Sequence, residues 1–329
     1  MNRLLGKNES VQLSYWHPDK PVSKGATAFH DAVYNSSWIK DILYELTKIA
    51  DKRINEGDTI VDFGAGTGAS ALLLLKNLQK KVQLWLVDNS PSWLGKAYEL
   101  LSGYKNIGFF ILEKKNNSYA TLAETVGNET VNHVISANTI HLIPDIKEVF
   151  EGIALALKKN GTFTFQTGNF FRKGRPEGAL MIDDTVKIVH DIALDIVRTD
   201  PKFAVYRKGL SERIESEEIQ RKFVFPEPRP IEIYLDVLRK SGFKCYNPIY
   251  IPVKIRYSDW LNFLRVKRLQ AGILPEIGGK EPLPKEEEDR DALITKSALK
   301  LFKDLEINNP LADNKCFTID IAYVTSVKE

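Results

Sequence analysis

Cysteine is scarce in this chain, and that scarcity excludes two classes of small scaffold. The 329 residues include two cysteines, Cys245 and Cys316. Two thiols cannot form a disulfide framework or a four-cysteine zinc site. Free cysteines are commonly small buried residues, and we expect that role for both. Because no His, Cys, Asp or Glu spacing typical of a metal site occurs, the sequence predicts no metal.

Long hydrophobic runs are also lacking. The strongest apolar run, Ala69 to Leu75, is far shorter than the ~20 residues that a membrane-spanning helix needs. Residues 1–9 have none of the apolar core of a signal peptide. The sequence therefore predicts a cytoplasmic protein without a membrane span.

The chain has little excess charge of either sign. Lys plus Arg number 46 against 43 Asp plus Glu, a net charge of +3, which is too even to favour a nucleic-acid partner. Two basic groups occur nonetheless, and we expect them to be solvated, to pair with the acidic run Glu286–Asp289, or to hold an anionic acceptor. They are Arg172, Lys173 and Arg175, and Lys254, Arg256, Arg265, Lys267 and Arg268.

An alternation of strands and helices begins at Thr59. Before it, apolar residues at helical spacing predict one helix from His30 to Asp51. After it, strands are predicted at 59–63, 82–87, 107–112, 131–136 and 162–166, separated by helices. The helix before the fifth strand is predicted to end at Asn160-Gly161 as a C-cap. This order predicts a doubly wound parallel sheet.

The alternation stops after Gly168 and later resumes. Residues 169–229 are predicted to contain one long amphipathic helix, Ala179–Arg198, and a proline-rich exit. A helix at Ile231–Lys240, a strand within Phe243–Val253, a helix with Ser258 as N-cap and a last strand at Cys316–Val324 follow. We therefore divide the chain into an N-terminal lid segment (1–54), a core (55–168), a helical cap (169–229) and a C-terminal completion of the sheet (230–329).

A glycine-rich loop follows the first strand. Residues 61–68 read Val-Asp-Phe-Gly-Ala-Gly-Thr-Gly, and such glycines let the backbone turn sharply and approach a ligand closely. Gly64, Ala65, Gly66 and Gly68 are therefore candidate cofactor contacts. With Ala69 the loop also satisfies the dinucleotide pattern G-x-G-x-x-G/A, which alone does not separate NAD from other adenosine cofactors.

Asp62 distinguishes a dinucleotide site from an S-adenosylmethionine site. A carboxylate two residues before the first glycine is unfavourable beside a pyrophosphate. S-adenosylmethionine carries no phosphate, and its ammonium and sulfonium groups attract a carboxylate. The sequence thus predicts S-adenosylmethionine, with a turn-capping role for Asp62 as the alternative.

Further polar residues follow the next three strands. Asp88 ends the second strand, where a carboxylate can accept hydrogen bonds from both ribose hydroxyls of an adenosine. The alternative is an N-cap for the helix that begins near Pro91. Asn89 stands beside Asp88, and Asn138 follows the fourth strand. Glu113 ends the third strand, where it could reach an adenine amine, with a solvated surface role as the alternative.

These motifs resemble those of class I S-adenosylmethionine-dependent methyltransferases. Residues 61–68 resemble their first motif, 84–88 their acidic second-strand motif, and 155–162 the segment that leads into strand five. Residues 133–145 resemble the small-molecule branch that includes the ubiquinone/menaquinone enzymes. The resemblance implies a Rossmann-like seven-stranded sheet with an antiparallel last strand. No Asn-Pro-Pro-Tyr or Asp-Pro-Pro-Tyr motif is present, and residues 113–131 form a longer segment than is usual in the family.

The residues that would contact the methyl acceptor are less clearly indicated by the sequence than the cofactor motifs. His141 lies just past the fourth strand and is the candidate general base, with a structural role as the alternative. His17 and His30 are weaker candidates for residues that fold over the site. Aromatic residues in the lid segments are the candidate substrate contacts: Tyr15, Trp16, Tyr34, Phe170 and Phe171. Their number favours a small, partly apolar acceptor.

The sequence therefore predicts methyl transfer from S-adenosylmethionine to a small molecule. An RNA or protein methyltransferase, and a cofactor-binding protein without transfer activity, are the alternatives. The cap, residues 169–229, is expected to be a mobile cover over the site. A rigid subdomain, or the contact of a homodimer, is the alternative for that segment.

Overall fold

The computed structural model describes residues 15–116, 118–224, 226–267, 269–270, 274, 277–278 and 282–329. Residues 1–14 of the predicted lid segment lie outside this range. The helices are α1 Lys24–Asn35, α2 Ser37–Asp51, α3 Ala69–Asn77, α4 Pro91–Leu101, α5 Leu122–Val126, α6 Ile146–Ala156, α7 Ile182–Thr199, α8 Leu210–Val224, α9 Ile231–Lys240, α10 Tyr257–Leu264 and α11 Pro284–Asn308.

Strands of very different length complete the secondary structure. They are β1 Thr59–Phe63, β2 Gln83–Asp88, β3 Ile107–Ile111, β4 Lys114–Lys115, β5 Ser118–Tyr119, β6 Val131–Ala137, β7 Leu157–Thr167, β8 Phe170–Phe171, β9 Arg229–Pro230, β10 Phe243–Cys245, β11 Ile249–Arg256 and β12 Cys316–Lys328. Short 3-10 turns occur at Ile140–Leu142 and Pro201–Tyr206.

The central sheet confirms the predicted fold class. Its strand order is β10-β12-β7-β6-β1-β2-β3, and β11 pairs with the remaining length of β12. Neighbours from β7 to β3 are parallel, whereas β12 runs antiparallel to β7, β10 and β11. Because β10 and β11 share one edge of β12, the sheet has eight strands where the resemblance implies seven.

Apolar clusters on both faces of this sheet explain the continuous apolar strands. One cluster joins α2, α7, α10 and α11 to the face that carries Ile319, Ile321 and Tyr323. Another joins α6 and α9 to the opposite face, which carries Ala322 and Val324. Strands covered on both faces bury successive side chains, so alternation in β1, β2 and β6 is weak.

The predicted helix His30–Asp51 is wrong in one respect, because it is two helices. Ser36 adopts an extended backbone between α1 and α2, and its hydroxyl donates to the carbonyl of Ala32 at 2.6 Å. A serine that hydrogen-bonds back to the preceding turn competes with helix propagation. The break lets α1 leave the direction of α2 and contact α3 and α4.

The predicted C-cap at Asn160-Gly161 is also wrong. Helix α6 ends at Ala156, and β7 begins at Leu157, which is fully buried and pairs with Val131. The pairing of β6 with β7 shifts register between Val131 and His133. Asn160, at φ +63°, lies in this irregular stretch, and Asn tolerates the left-handed conformation. Asn-Gly therefore marks an irregular strand here instead of a helix end.

Two further differences lie in the second half of the chain. Helix α10 begins at Tyr257 with Arg256 at the N-cap, so Ser258 is not the cap. Asp259 instead accepts hydrogen bonds from Arg256 and from Ser37. The sequence prediction also missed α8, because its many charged residues leave no clear apolar stripe.

Candidate functional site

The loop between β1 and α3 is built on three glycines. Gly64, Gly66 and Gly68 have φ of +70°, +55° and +81°, which other residues adopt only under strain. A Cβ on Gly64 would lie 2.2 Å from the side chain of Thr139. The Gly64 and Ala65 amides donate to the Val87 carbonyl at 2.8 and 3.1 Å. The loop is thus fixed against the end of β2.

Asp88 joins this loop to the segment that follows β2. Its carboxylate accepts from the Gly66 amide and from the Ser90 amide, each at 2.8 Å. Ser90, not Asp88, is the N-cap of α4, since its hydroxyl accepts from the Trp93 amide. The helix-cap alternative for Asp88 is therefore wrong. Asn89, the next residue, is exposed.

Asp62 lies beneath the same loop. Its carboxylate is 1% exposed and accepts from the Ser70 hydroxyl at 2.5 Å, while its Oδ1 has no hydrogen-bond partner among the described residues. Burial raises the pKa of Asp62 to about 7, against the opposing effect of the Ser70 hydrogen bond. Asp62 therefore ties β1 to the first turn of α3.

The loop after β6 closes on the glycine loop from the other side. The Thr139 hydroxyl is 3.1 Å from the Gly64 carbonyl, to which it donates. Asn138, at φ +51°, donates its amide to Gln166, whose Oε1 is 3.2 Å away. The structure thus brings Asp62, Asp88 and Asn138 to one edge of the sheet, as the sequence predicted. Glu113 stands at the same edge after β3, with its side chain exposed.

His141 lies in the 3-10 turn that follows. Its Nδ1 is 3.3 Å from the hydroxyl of Thr167 at the end of β7. Burial and the nearby Arg229 guanidinium lower the pKa of His141 to about 4. Arg229 also donates to the Ile143 carbonyl at 2.6 Å and so holds the turn. At neutral pH the imidazole is therefore uncharged.

The candidate substrate residues Tyr15 and Trp16 lie elsewhere. The Trp16 amide donates to the Phe109 carbonyl at 2.8 Å, and the Tyr15 ring meets Gly108 and Phe110. Both residues cover the outer edge of β3. Since β3 is three strands away from β6, they are roughly 14 Å from the strand that leads to His141.

Helix α1 lies over the glycine loop and carries the weaker candidate His30 and the candidate substrate residue Tyr34. The contact of His30 with Thr67 is one that the prediction missed. His30 Nδ1 is 3.1 Å from the Thr67 hydroxyl, and the Phe29 ring is 4.3 Å from the Trp93 ring. Tyr34 stacks on His30 and accepts a hydrogen bond from Lys76 at 2.6 Å. The signal for Thr67 was its place inside the glycine motif.

Phe170 and Phe171 separate in the structure. Phe170 is 0% exposed and stacks on Tyr250, whereas Phe171 is 48% exposed. Their strand β8 pairs with β9, which brings Arg229 beside Phe170. Phe170 therefore belongs to the apolar core, and Phe171 alone is available to an acceptor.

The basic residues near the C-terminal half are mostly paired with carboxylates. Lys254 pairs with Asp313, Arg256 with Asp259, Arg265 with Asp291 and Lys267 with Glu287. Only the last of these partners lies in the acidic run that the sequence singled out. Arg172 binds the fully buried carboxylate of Asp320 at 2.6 Å.

Two absences are observed within the described ranges. No helix there is long and apolar enough to cross a membrane. No group of three or more His, Cys, Asp or Glu side chains in the same ranges could hold a metal ion.

Comparison with known proteins agrees with this site. Residues 54–202, less than half of the chain, match the family model of a methyltransferase domain. The chain therefore contains a methyltransferase domain over residues 54–202. The matched residues contain the glycine loop, Asp88, Asn138 and His141. S-adenosylmethionine is accordingly its cofactor.

Individual relatives are distant. A highly reducing polyketide synthase from Gibberella zeae is 33% identical over 116 residues, which are 33% of this chain and 4% of the synthase. The chain therefore spans a small fraction of that relative's length. A phosphoethanolamine N-methyltransferase from Haemonchus contortus has a similar fold, with TM-score 0.50, 16% identity, and coverage of 92% of this chain and 56% of that one. The YcgJ protein from Bacillus subtilis has a TM-score of 0.47 and 14% identity, with coverage of 87% of this chain and 98% of that one.

The residues of the methyltransferase fit its cofactor. Two buried carboxylates stand beside the loop, and Asp62 Oδ1 has an uncommitted acceptor position. Such a site suits a ligand with cationic groups and disfavours a pyrophosphate. Asp88 would be the residue to hold the ribose, and the backbone of residues 64–68 would contact the rest of the cofactor.

Proposed function

We propose that this methyltransferase methylates a small, partly apolar molecule that binds at the carboxyl ends of β6 and β7. One observation carries the proposal. Gln166 and Asn169 are 0% and 2% exposed, yet Gln166 Nε2 and Asn169 Oδ1 have no hydrogen-bond partner among the described residues. Buried polar atoms are normally satisfied. An acceptor with a polar group would supply the missing partners.

The enclosure of this region favours a small acceptor. Thr167 is fully buried, and the β8–β9 pair and Arg229 cover the segment behind it. An acceptor on a large rigid surface would need an open groove, whereas a small molecule can be enclosed. The similarity to a polyketide synthase supports the same class, since polyketides are small molecules.

Alignment is the main contribution of the protein to the reaction. The cofactor supplies the methyl group and its own leaving group, so the chain must orient the acceptor. Gln166 and Asn169 would hold its polar group, and Phe171 would contact its apolar part. An acceptor that is a hydroxyl, an acidic carbon or a protonated amine also loses a proton, and neutral His141 would take it.

The division of the chain follows from this arrangement. Residues 15–54 and 169–229 would cover the core 55–168, and residues 230–329 would complete the sheet. Within 169–229, α7 packs on α11 through Val186, Val189 and Val197. We propose residues 169–229 as the cover of the site, with Phe171 as an exposed aromatic side chain.

Labelled cofactor tests the acceptor class. The protein is incubated with methyl-labelled S-adenosylmethionine and separated small-molecule, RNA and protein fractions of a cell extract. The proposal expects label in the small-molecule fraction. Label only in RNA or protein contradicts it, and cofactor binding without transfer to any fraction supports the non-transferring alternative.

A His141→Gln variant tests the base. We expect turnover to fall by about 10²–10⁴-fold, the usual contribution of a positioned general base, with cofactor affinity unchanged. Because the pKa of His141 is lowered to about 4, wild-type turnover should show no histidine titration between about pH 6 and 8. His17→Gln, at an exposed position near Tyr98, is the matched control. Normal turnover of His141→Gln would assign the residue a structural role.

A further inference from the structure

A polar cavity lies at the opposite edge of the sheet, where the parallel strands begin. Its volume is about 530 Å³, within the range of small-molecule sites. Asp58 precedes β1 in its wall, whereas Asp62 marks the other end of that strand. The lining residues are Arg53, Asn55, Asp58, Asn132, His133, Lys158, Lys159, Asn160, Gly161, Thr162, Tyr246 and Val327. None of them takes part in the methyl-transfer site.

The charge of this lining is positive. Arg53, Lys158 and Lys159 face one carboxylate, Asp58. None of these cations forms an ion pair with any residue that the structure describes. Lys158 Nζ donates to Asn132 Oδ1 at 3.0 Å, and the Arg53 guanidinium lies 4.4 Å from the centre of the Tyr246 ring. Their charges are therefore available to an anion.

Asp58, the one carboxylate in this lining, already accepts two hydrogen bonds. Asp58 Oδ2 accepts from the Asn55 amide at 2.6 Å and from His133 Nε2 at 2.9 Å. The other ring nitrogen of His133 is 2.7 Å from the Thr162 hydroxyl. This chain of hydrogen bonds joins Asp58 to β6 and β7 in the wall of the cavity.

We propose that this cavity binds a small molecule that carries a phosphate group. Arg and Lys side chains are the usual partners of phosphate oxygens. Inorganic phosphate alone would leave most of the volume empty. Tyr246 is 44% exposed and presents a ring beside Arg53, so an organic phosphate with a ring, such as a nucleoside monophosphate, fits both the charge and the shape.

Calorimetry on the full chain tests this site. AMP, adenosine and inorganic phosphate are titrated with S-adenosylhomocysteine present at saturation, which blocks the adenosine site of the cofactor. We expect AMP to bind and adenosine not to bind. The variant with Arg53→Gln, Lys158→Gln and Lys159→Gln should bind AMP at least about tenfold more weakly, because it removes the charge-assisted hydrogen bonds.

A charge-matched control separates the cavity from general electrostatics. Lys105→Gln, Arg198→Gln and Lys303→Gln remove the same charge from exposed positions elsewhere, and AMP affinity should stay within about twofold. Equal losses in both variants, or retained affinity in the cavity variant, overturn the proposal. So does inorganic phosphate that binds as tightly as AMP, or a short RNA that binds more tightly than AMP.

Discussion

The two edges of the central sheet, at the carboxyl and the amino ends of its parallel strands, differ in the sign of their charged side chains and in whether those side chains are paired. At the carboxyl edge, Asp62 and Asp88 are buried beneath a glycine loop that α1 covers. At the amino edge, Arg53, Lys158 and Lys159 line a cavity, and no described carboxylate pairs with them. In a doubly wound fold the helix N-termini point to the carboxyl edge, and their partial positive charge favours anions there.

From this difference we expect side chains, and not the helix dipoles, to decide which ligand each edge accepts. The Asp88 carboxylate, with the fraction of Asp62 that is ionised at neutral pH, opposes the fractional charges of α3 and α4, so the usual anion edge becomes suited to a cationic cofactor. The charged side chains of the two edges also differ in the hydrogen bonds and ion pairs that they form. Asp88 receives two backbone amides, whereas the cations of the amino edge hold no ion pair within the described ranges.

The largest expected effect concerns the cover of the carboxyl edge. Phe170→Ala should lower the free energy of unfolding by about 3–5 kcal/mol, because a fully buried phenylalanine leaves a cavity. Phe171→Ala, next to it and 48% exposed, should change that energy by less than about 0.5 kcal/mol. Urea denaturation measures both. Equal losses would show that the two phenylalanines form one buried unit.

Asp88 should carry the next largest effect. Removal of a charged acceptor costs about 1.5–3 kcal/mol per hydrogen bond, so Asp88→Ala should weaken S-adenosylhomocysteine binding at least roughly tenfold. Calorimetry measures the dissociation constant, and Asp304→Ala, an exposed carboxylate on α11, is the control. If the Asp88 variant bound normally, its carboxylate would serve only to join the two loops.

Asp62 predicts a pH dependence of stability at the same edge. Its pKa is raised by burial from 3.8 to about 7, so the folded state favours the protonated carboxyl. This contribution is complete below the unfolded pKa and is lost as pH rises through about 7. Asp62→Asn should therefore reduce the loss of unfolding free energy between pH 5 and 8 by on the order of 1–3 kcal/mol.

Asp183 provides an independent comparison for that experiment. Burial raises its pKa to about 7 as well, followed by the effects of Asp184 and Glu227. We expect Asp62→Asn and Asp183→Asn each to remove part of the pH dependence and the double variant to remove both parts. An unchanged slope in Asp62→Asn would mean that its carboxyl stays ionised in the folded protein.

Much of the carboxyl edge could be predicted from sequence because its signals are local. The glycine loop, Asp62 and Asp88 lie within one βαβ unit, and the structure brings them together. Local signals also fail where a second interaction competes, as at Ser36, whose hydroxyl ends α1, and at Asn160-Gly161, which lie within β7. The intrinsic propensity of a residue allows several backbone conformations, and tertiary contacts determine which of them forms.

The amino edge could not be predicted, because its residues come from distant segments. Arg53 follows α2, Lys158 lies in β7 and Tyr246 lies between β10 and β11. No spacing in the sequence relates them. The separation of Phe170 from Phe171 has a similar cause, since the burial of Phe170 depends on Tyr250 and on the pairing of β8 with β9.

The smallest expected effect tests whether the cations of the amino edge have a structural role. The Arg53→Gln, Lys158→Gln, Lys159→Gln variant should change the free energy of unfolding by less than about 1 kcal/mol. The lost contact of Arg53 with Tyr246 is worth only about 0.5–1 kcal/mol at an exposed site, and Asn132 Oδ1 keeps the Thr59 amide at 3.1 Å. Relief of repulsion among three like charges offsets part of this cost and weakens as salt screens it. Urea denaturation at low and high salt should therefore show the variant as relatively more stable at low salt. A loss above about 2 kcal/mol at either salt, typical of a broken buried network, would make these cations part of the fold and remove the contrast between the two edges.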